Sequence, residues 1–219
     1  MKNIAFISLI SFLIIVAACT KDKDQFKNKG QKSLYMKNLI EPDTISPYKG
    51  EYFIEVNTEN SYAGAIESMR FELSDHRLHQ LMTSDNGRGL TAYGIGLHNP
   101  ETRETLEIKF YSPVDTCFYL EYANYYFSDP WKGKAGINVE YYVSTNNPDN
   151  PDSFYRYLGS NTEDSSFEIN YIGEEHLNGT FKTRWEECCG GRMVHDIEGE
   201  FSIPIKFIYG VKKWQDRDK

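Results

Sequence analysis

Residues 177–185, LNGTFKTRW, alternate: Leu177, Phe181 and Trp185 fall on one side of an extended chain, and Asn178, Thr180, Lys182 and Arg184 on the other. Successive strand side chains point to opposite faces, so this period of two predicts a strand with one face in a core. Twelve residues on, IEGEFSIPIKF (197–207) repeats the pattern, with Ile197, Phe201, Ile203, Ile205 and Phe207 together. Pro204 falls on the polar side of that run, which suits an edge strand or a bulge.

The same period recurs toward the N-terminus. Tyr52, Ile54 and Val56 align, as do Met69, Phe71 and Leu73 with Arg70 and Glu72 opposite. Tyr93, Ile95 and Leu97 align against small residues. HNPETRE (98–104) then turns the chain into a run where Leu106, Ile108 and Phe110 alternate with Glu107 and Lys109. Ile137, Val139, Tyr141 and Val143 form a further face before the turn NNPDNPDS, and Phe167, Ile169 and Tyr171 another. Only SDHRLHQLM (74–82) reads as a helix start, with Leu78, Leu81 and Met82 at three and four spacing. About nine or ten short strands predict an all-β fold, an antiparallel β-sandwich or flattened barrel.

The N-terminus has a different character. An apolar run from Ile4 to Ala18 follows Met1, Lys2 and Asn3. It is shorter than the roughly 20 residues a membrane crossing needs, and it ends in small residues, as a signal peptide does. Val16-Ala17-Ala18-Cys19 resembles the bacterial lipobox, in which a diacylglycerol is attached to the cysteine sulfur before cleavage in front of it; a signal anchor is the alternative. Lipidation at Cys19 implies a protein held on a membrane without spanning it. Lys21, Asp22, Lys23 and Asp24 resemble the charged tether of surface-exported Bacteroidetes lipoproteins. The expected localisation is the cell envelope, as an outer-membrane lipoprotein facing either the surface or the periplasm. The expected organisation is a signal peptide at 1–18, a lipidated cysteine and flexible polar tether at 19–49, a β-sandwich at 50–212 and a charged tail at 213–219.

SSFEINYIGEEHLNGTF and HDIEGEFSIPI resemble the C-terminal part of small, uncharacterised β-rich lipoproteins of Bacteroidetes, over residues 165 to 207. The matching features are Ile169, Gly179-Thr180-Phe181 and Gly199-Glu200-Phe201. The resemblance implies fold and location and carries no activity. EECCGG, between the paired strands, departs from the pattern.

Removing Lys2 with the signal takes the formal charge from −8 to −9. Such an acidic chain argues against nucleic acid as a partner. Three cysteines remain beyond Cys19, and an envelope compartment permits disulfides. A bond from Cys188 or Cys189 to Cys117 is expected. His176 and His195 lie near the adjacent cysteines, but the spacing fits no zinc pattern, so neither metal nor cofactor is expected.

Aromatic residues make up 15% of the chain. CFYLEYANYYFSDPW (117–131) concentrates them on both faces of one predicted strand. Tyr119, Tyr125 and Phe127, with Trp131 nearby, would make a stacking platform for sugar rings if exposed, or a strand packed on both sides if not. The chain has no G-x-S-x-G, H-E-x-x-H, P-loop or G-x-G-x-x-G motif. Ser46-Pro47-Tyr48-Lys49 matches S-x-x-K inside the expected tether, where nothing would organise it. The pairs Glu174-Glu175 and Glu186-Glu187 are candidates for glycosidic chemistry. The expected function is a non-catalytic, lipid-anchored binding or assembly module for a glycan or an envelope protein. The alternative is a carbohydrate hydrolase using paired carboxylates.

Overall fold

The computed structural model describes residues 35–43, 45, 50–61, 68–85, 88–114, 118–144, 154–160, 162–187, 194–205 and 211–213. The expected signal peptide at 1–18, Cys19, Cys117, Cys188 and Cys189 lie outside the described residues, as do residues 46–49. The described chain is almost entirely strand, and twelve strands form one antiparallel sheet.

The quoted stretch is its hub. β12 (His176–Glu187) runs beside β13 (Val194–Pro204) over nearly its whole length. Its other edge is shared. Residues 177–182 pair with β11 (Ser166–Ile172), and residues 184–187 pair with β10 (Phe154–Ser160). From β11 the sheet continues through β8 (Ala123–Tyr125) to β1 (Met36–Leu39). From β10 it continues through β9 (Gly136–Ser144), β6 (Thr105–Pro113) and β5 (Leu90–His98) to β4 (Arg77–Asp85). Beyond β13 lie β2 (Phe53–Ser61) and β3 (Met69–Glu72). β2 and β3 pack against β5, so the sheet curls around a common core without closing into a barrel. β7 (Phe118–Leu120) and β14 (Val211–Lys213) form a separate parallel pair.

The alternation read from the sequence becomes the core. Leu177, Phe181 and Trp185 of β12 are buried with Ile197, Phe201 and Ile203 of β13, Ile54 and Val56 of β2, and Leu106, Ile108 and Phe110 of β6. Trp185 joins the two branches. Its ring stacks on Tyr141 at 5.5 Å and 10°, and its indole N–H donates to the Val139 carbonyl on β9 at 2.9 Å. The two glycines of the resemblance motif have a packing purpose. Gly179 faces Phe201 and Gly199 faces Phe181 across the ladder. A Cβ on Gly179 would lie 2.5 Å from the Phe201 ring, and one on Gly199 2.5 Å from the Phe181 ring. Each glycine therefore leaves the space that the opposite ring fills.

Several expectations need correction. The predicted helix at 74–82 is the strand β4, preceded by a turn at Leu73–Asp75; nine ladder positions against β5 outweigh the local three-four spacing, of which only Leu78 and Met82 share a strand face. The 19–49 tether ends too late, because β1 pairs with β8 and Tyr35 is buried against Phe118 at 4.4 Å. The folded domain thus begins by residue 35 and not at 50. The described residues form fourteen strands against the nine or ten expected, because β1, β7, β8 and β14 have only three or four residues, β4 was read as a helix start and β10 was not read. Pro204 marks the end of β13, which is central, between β12 and β2.

Candidate functional site

The predicted aromatic strand 117–127 is broken. β7 and β8 are separated by a bend at Tyr122, where the Tyr125 hydroxyl donates to the Glu121 carbonyl at 2.8 Å and accepts from the Glu121 N–H at 2.7 Å. Burial pushes the Tyr125 phenol well above its ordinary pKa. Tyr119, Tyr125 and Phe127 are 3%, 0% and 1% exposed, so none of the three can stack on a ligand. That part of the expected platform is core. Trp131 differs, at 49% exposed.

The local chain explains why Trp131 points outward. Phe127 is anchored in the core, and its neighbours are clamped to β9 by Ser128 N–H to the Ile137 carbonyl at 2.9 Å and Ile137 N–H to the Tyr126 carbonyl at 3.0 Å. Pro130, with its fixed φ, starts a single 3-10 turn, Pro130–Lys132, and Gly133 closes it in the left-handed region at φ 66°. Lys132 and Lys134 N–H groups both donate to the Asp129 carbonyl at 3.0 Å. The Lys132 ammonium meets the Asp129 carboxylate at 2.8 Å, and the hydrogen bond to that carboxylate raises its pKa. The buried Asn138 latches this loop to the sheet. Its amide donates to the Ser128 and Gly159 carbonyls at 3.2 and 2.9 Å, and its oxygen accepts from Gly159 N–H at 2.8 Å.

Trp131 borders an open groove of about 520 Å3, within the about 300–1,000 Å3 range of small-molecule sites. Its floor includes Asn138 and Gly159, one side carries Ser160 and Thr162, and Glu186 and Glu187 stand at the end of β12. The Arg88 guanidinium lies 4.1 Å over the indole. An exposed indole rimmed by hydroxyls, carboxylates and ammonium groups offers both an apolar face and hydrogen-bond partners.

The other candidates separate in space. Glu174 and Glu175 precede β12, roughly 36 Å along the strand from Glu186 at the strand rise of about 3.3 Å per residue. His176 pairs with Pro204 and His195 with Trp185, so the two histidines are about 30 Å apart and cannot share a metal. His195 is fully buried edge-on to Tyr157 at 5.6 Å, and neither ring nitrogen has a hydrogen-bond partner among the described residues. Desolvation pushes its pKa down.

The sequence reading missed a second concentration of charge. On the far face of β6 and β9, the Glu140 carboxylate, with no exposed surface, accepts from Lys109 at 2.8 Å, Arg156 at 2.8 Å, Tyr142 at 2.6 Å and Tyr111 at 2.6 Å. Lys109 also meets Glu107 at 2.9 Å and the Tyr142 hydroxyl. Burial opposes the charge on Glu140, but Lys109 and Arg156 outweigh it and hold its pKa below the usual carboxylate range. Both Glu140 oxygens are occupied, while the buried Glu107 Oε2 meets Lys109 as an ion pair without a hydrogen bond among the described residues, and the cluster ties β6, β9 and β10 together. The signal was a pair of large residues on both faces, Phe110 with Tyr111 and Tyr141 with Tyr142, which a half-solvated strand does not need.

No family model matches the chain, and neither a curated protein nor a solved structure matches it. The groove must be read from its own chemistry.

Proposed function

We propose that this protein is a lipid-anchored module of the cell envelope that binds carbohydrate, without cleaving it, in the groove beside Trp131. The observation that carries this reading is the half-exposed indole held on a latched turn above polar groups. A pyranose has an apolar face that suits an indole, and its hydroxyls suit Ser160, Thr162 and the end-of-strand carboxylates. The lipobox at Cys19 supports attachment to the outer membrane through lipid, which would hold the groove where envelope or external glycans are found.

Binding is favoured over hydrolysis by the carboxylates themselves. Glycosidases need two carboxyl groups roughly 5–9 Å apart on either side of the bond. Asp129 is engaged by Lys132, and Glu186 and Glu187 come from the end of the same strand.

The test is a glycan array probed with the full-length protein and with Trp131→Ala. The reading expects wild-type binding to at least one glycan class and a loss of about tenfold or more in the variant, the equivalent of ~1.4 kcal/mol for a lost aromatic face. A wild-type protein that binds no glycan, or a variant that binds equally well, removes it. Recovery of one specific envelope protein in a pull-down, with no glycan bound, would favour the assembly role.

A further inference from the structure

The groove does not end at the turn that carries Trp131. On the other side of Lys134 a second hollow of about 420 Å3 opens, bordered by Tyr126, Gly133, Gly89 and Pro113, and Lys134 lines both spaces. Tyr126 is itself 38% exposed, and the Lys37 ammonium sits 5.6 Å from its ring centroid. Two open aromatic side chains therefore flank one lysine.

Charge is distributed unevenly between the two spaces. Lys134 is the one ionisable side chain other than tyrosine among the described residues lining the Tyr126 hollow. Lys132 is neutralised by Asp129 at 2.8 Å, whereas Lys134 and Arg88 have no carboxylate partner among the described residues. On the Trp131 side the far wall is acidic, with Glu186 and Glu187. A carboxylate on a ligand would be attracted to the Tyr126 hollow and repelled from the far wall of the Trp131 groove.

Resting on the glycan reading above, we propose that the ligand is an acidic oligosaccharide of at least two sugar units lying across Lys134. Its uronic-acid unit occupies the Tyr126 hollow with the carboxylate against Lys134. Its neutral unit stacks on Trp131 with hydroxyls toward Glu186 and Glu187. Two aromatic faces then serve two rings, and the one lysine between them sets the direction of the chain.

The experiment is calorimetric titration of the full-length protein with two probes. One is a tetrasaccharide of alternating glucuronate and glucose; the other is the same chain after carboxyl reduction, which removes only the charges. Wild type is expected to prefer the acidic form by about tenfold, and added salt is expected to erode that preference. Lys134→Gln is expected to cut the preference to under about threefold, with an unchanged melting temperature because the side chain is exposed. Equal affinity for both forms, sensitive to Trp131→Ala, overturns the acidic assignment and leaves the glycan reading standing. Acid preference that survives Lys134→Gln also overturns it. Binding of neither form overturns it too, and the array result then decides the glycan reading separately.

Discussion

Phe181 and Phe201 each lie over a glycine of the opposite strand, and no side chain fits beneath them. A Cβ on Gly179 would come 1.9 Å from the Glu168 carbonyl oxygen, and one on Gly199 2.0 Å from that of Glu55. Both contacts are with backbone, which cannot move aside cheaply. Gly179→Ala and Gly199→Ala are each expected to destabilise by about 1–3 kcal/mol, read from urea midpoints; a midpoint within error of wild type would contradict this packing. The Lys109–Glu140 pair gives a second expectation. Lys109→Met leaves a buried carboxylate short of its main partner and should cost about 3–5 kcal/mol, while Lys109→Met with Glu140→Leu should recover much of that loss. A double variant no better than the single one would contradict the account. Two groups also set the acid dependence. His195 is held neutral by burial, so unfolding gains a proton as pH falls below the ordinary imidazole value of about 6.5, and stability declines there. Glu140 has a lowered pKa, so its contribution is present above the unfolded value of about 4.3 and is lost as pH falls toward the depressed folded value. Urea midpoints against pH should show both declines, with His195→Phe flattening the upper one and Glu140→Gln the lower. At this scale, alternation identified Leu177, Phe181, Ile108 and Tyr141 as core residues. It could not show that Glu107 and Lys109 face a second buried layer, because the period of two is the same whether a polar face meets water or balanced charge.

At the scale of elements, the strands were legible wherever an apolar face ran for five residues or more, as in β5, β6, β9, β12 and β13. Of the short ones, β3 was read from Met69 and Phe71, whereas β1 and β14 were not, and the seven-residue β10 was also missed. β1 has only four residues, two of them polar, and it belongs to the sheet because β8 offers an edge, Met36 joins the core and Tyr35 fills a gap beside Phe118 and Tyr125. Burial pushes the Tyr35 phenol up to about 12, in keeping with an enclosed site. Tyr35→Ala should therefore lower the melting temperature, at a cost of about 3–5 kcal/mol for a buried aromatic. An unchanged melting temperature would return residues 35–39 to the tether. β4 was misread because Leu78, Leu81 and Met82 suit a helix locally, and only pairing with β5 decides otherwise. The edge strand β3 keeps Arg70 on its outer side, stacked 3.8 Å over Phe53 and bridged to Glu55, a charged edge that discourages pairing with another chain.

At the scale of the molecule, one curled sheet leaves its candidate site where a latched turn crosses β9 and β10. The recurring period-two alternation supplied the class, and the resemblance over residues 165 to 207 covers the β11–β12–β13 unit at the centre of the sheet. The groove was only partly legible. Trp131 was among the residues singled out, but Arg88 reaches its ring, and Gly159 reaches Asn138, through tertiary contacts between distant segments that no local pattern encodes. Membrane attachment is a separate expectation: a fatty-acid probe should label the wild type and fail to label Cys19→Ala, and label retained in the variant would contradict it. The chain has three tryptophans, Trp131 in the groove, Trp185 in the core and Trp214 outside the described residues. The most direct measurement follows the three indole N–H resonances, assigned with Trp131→Phe, while the strongest array glycan is titrated in. The account predicts a saturable shift of the Trp131 resonance, with Trp185, bonded to Val139 in the interior, unmoved. A saturating glycan that leaves Trp131 unshifted would contradict it.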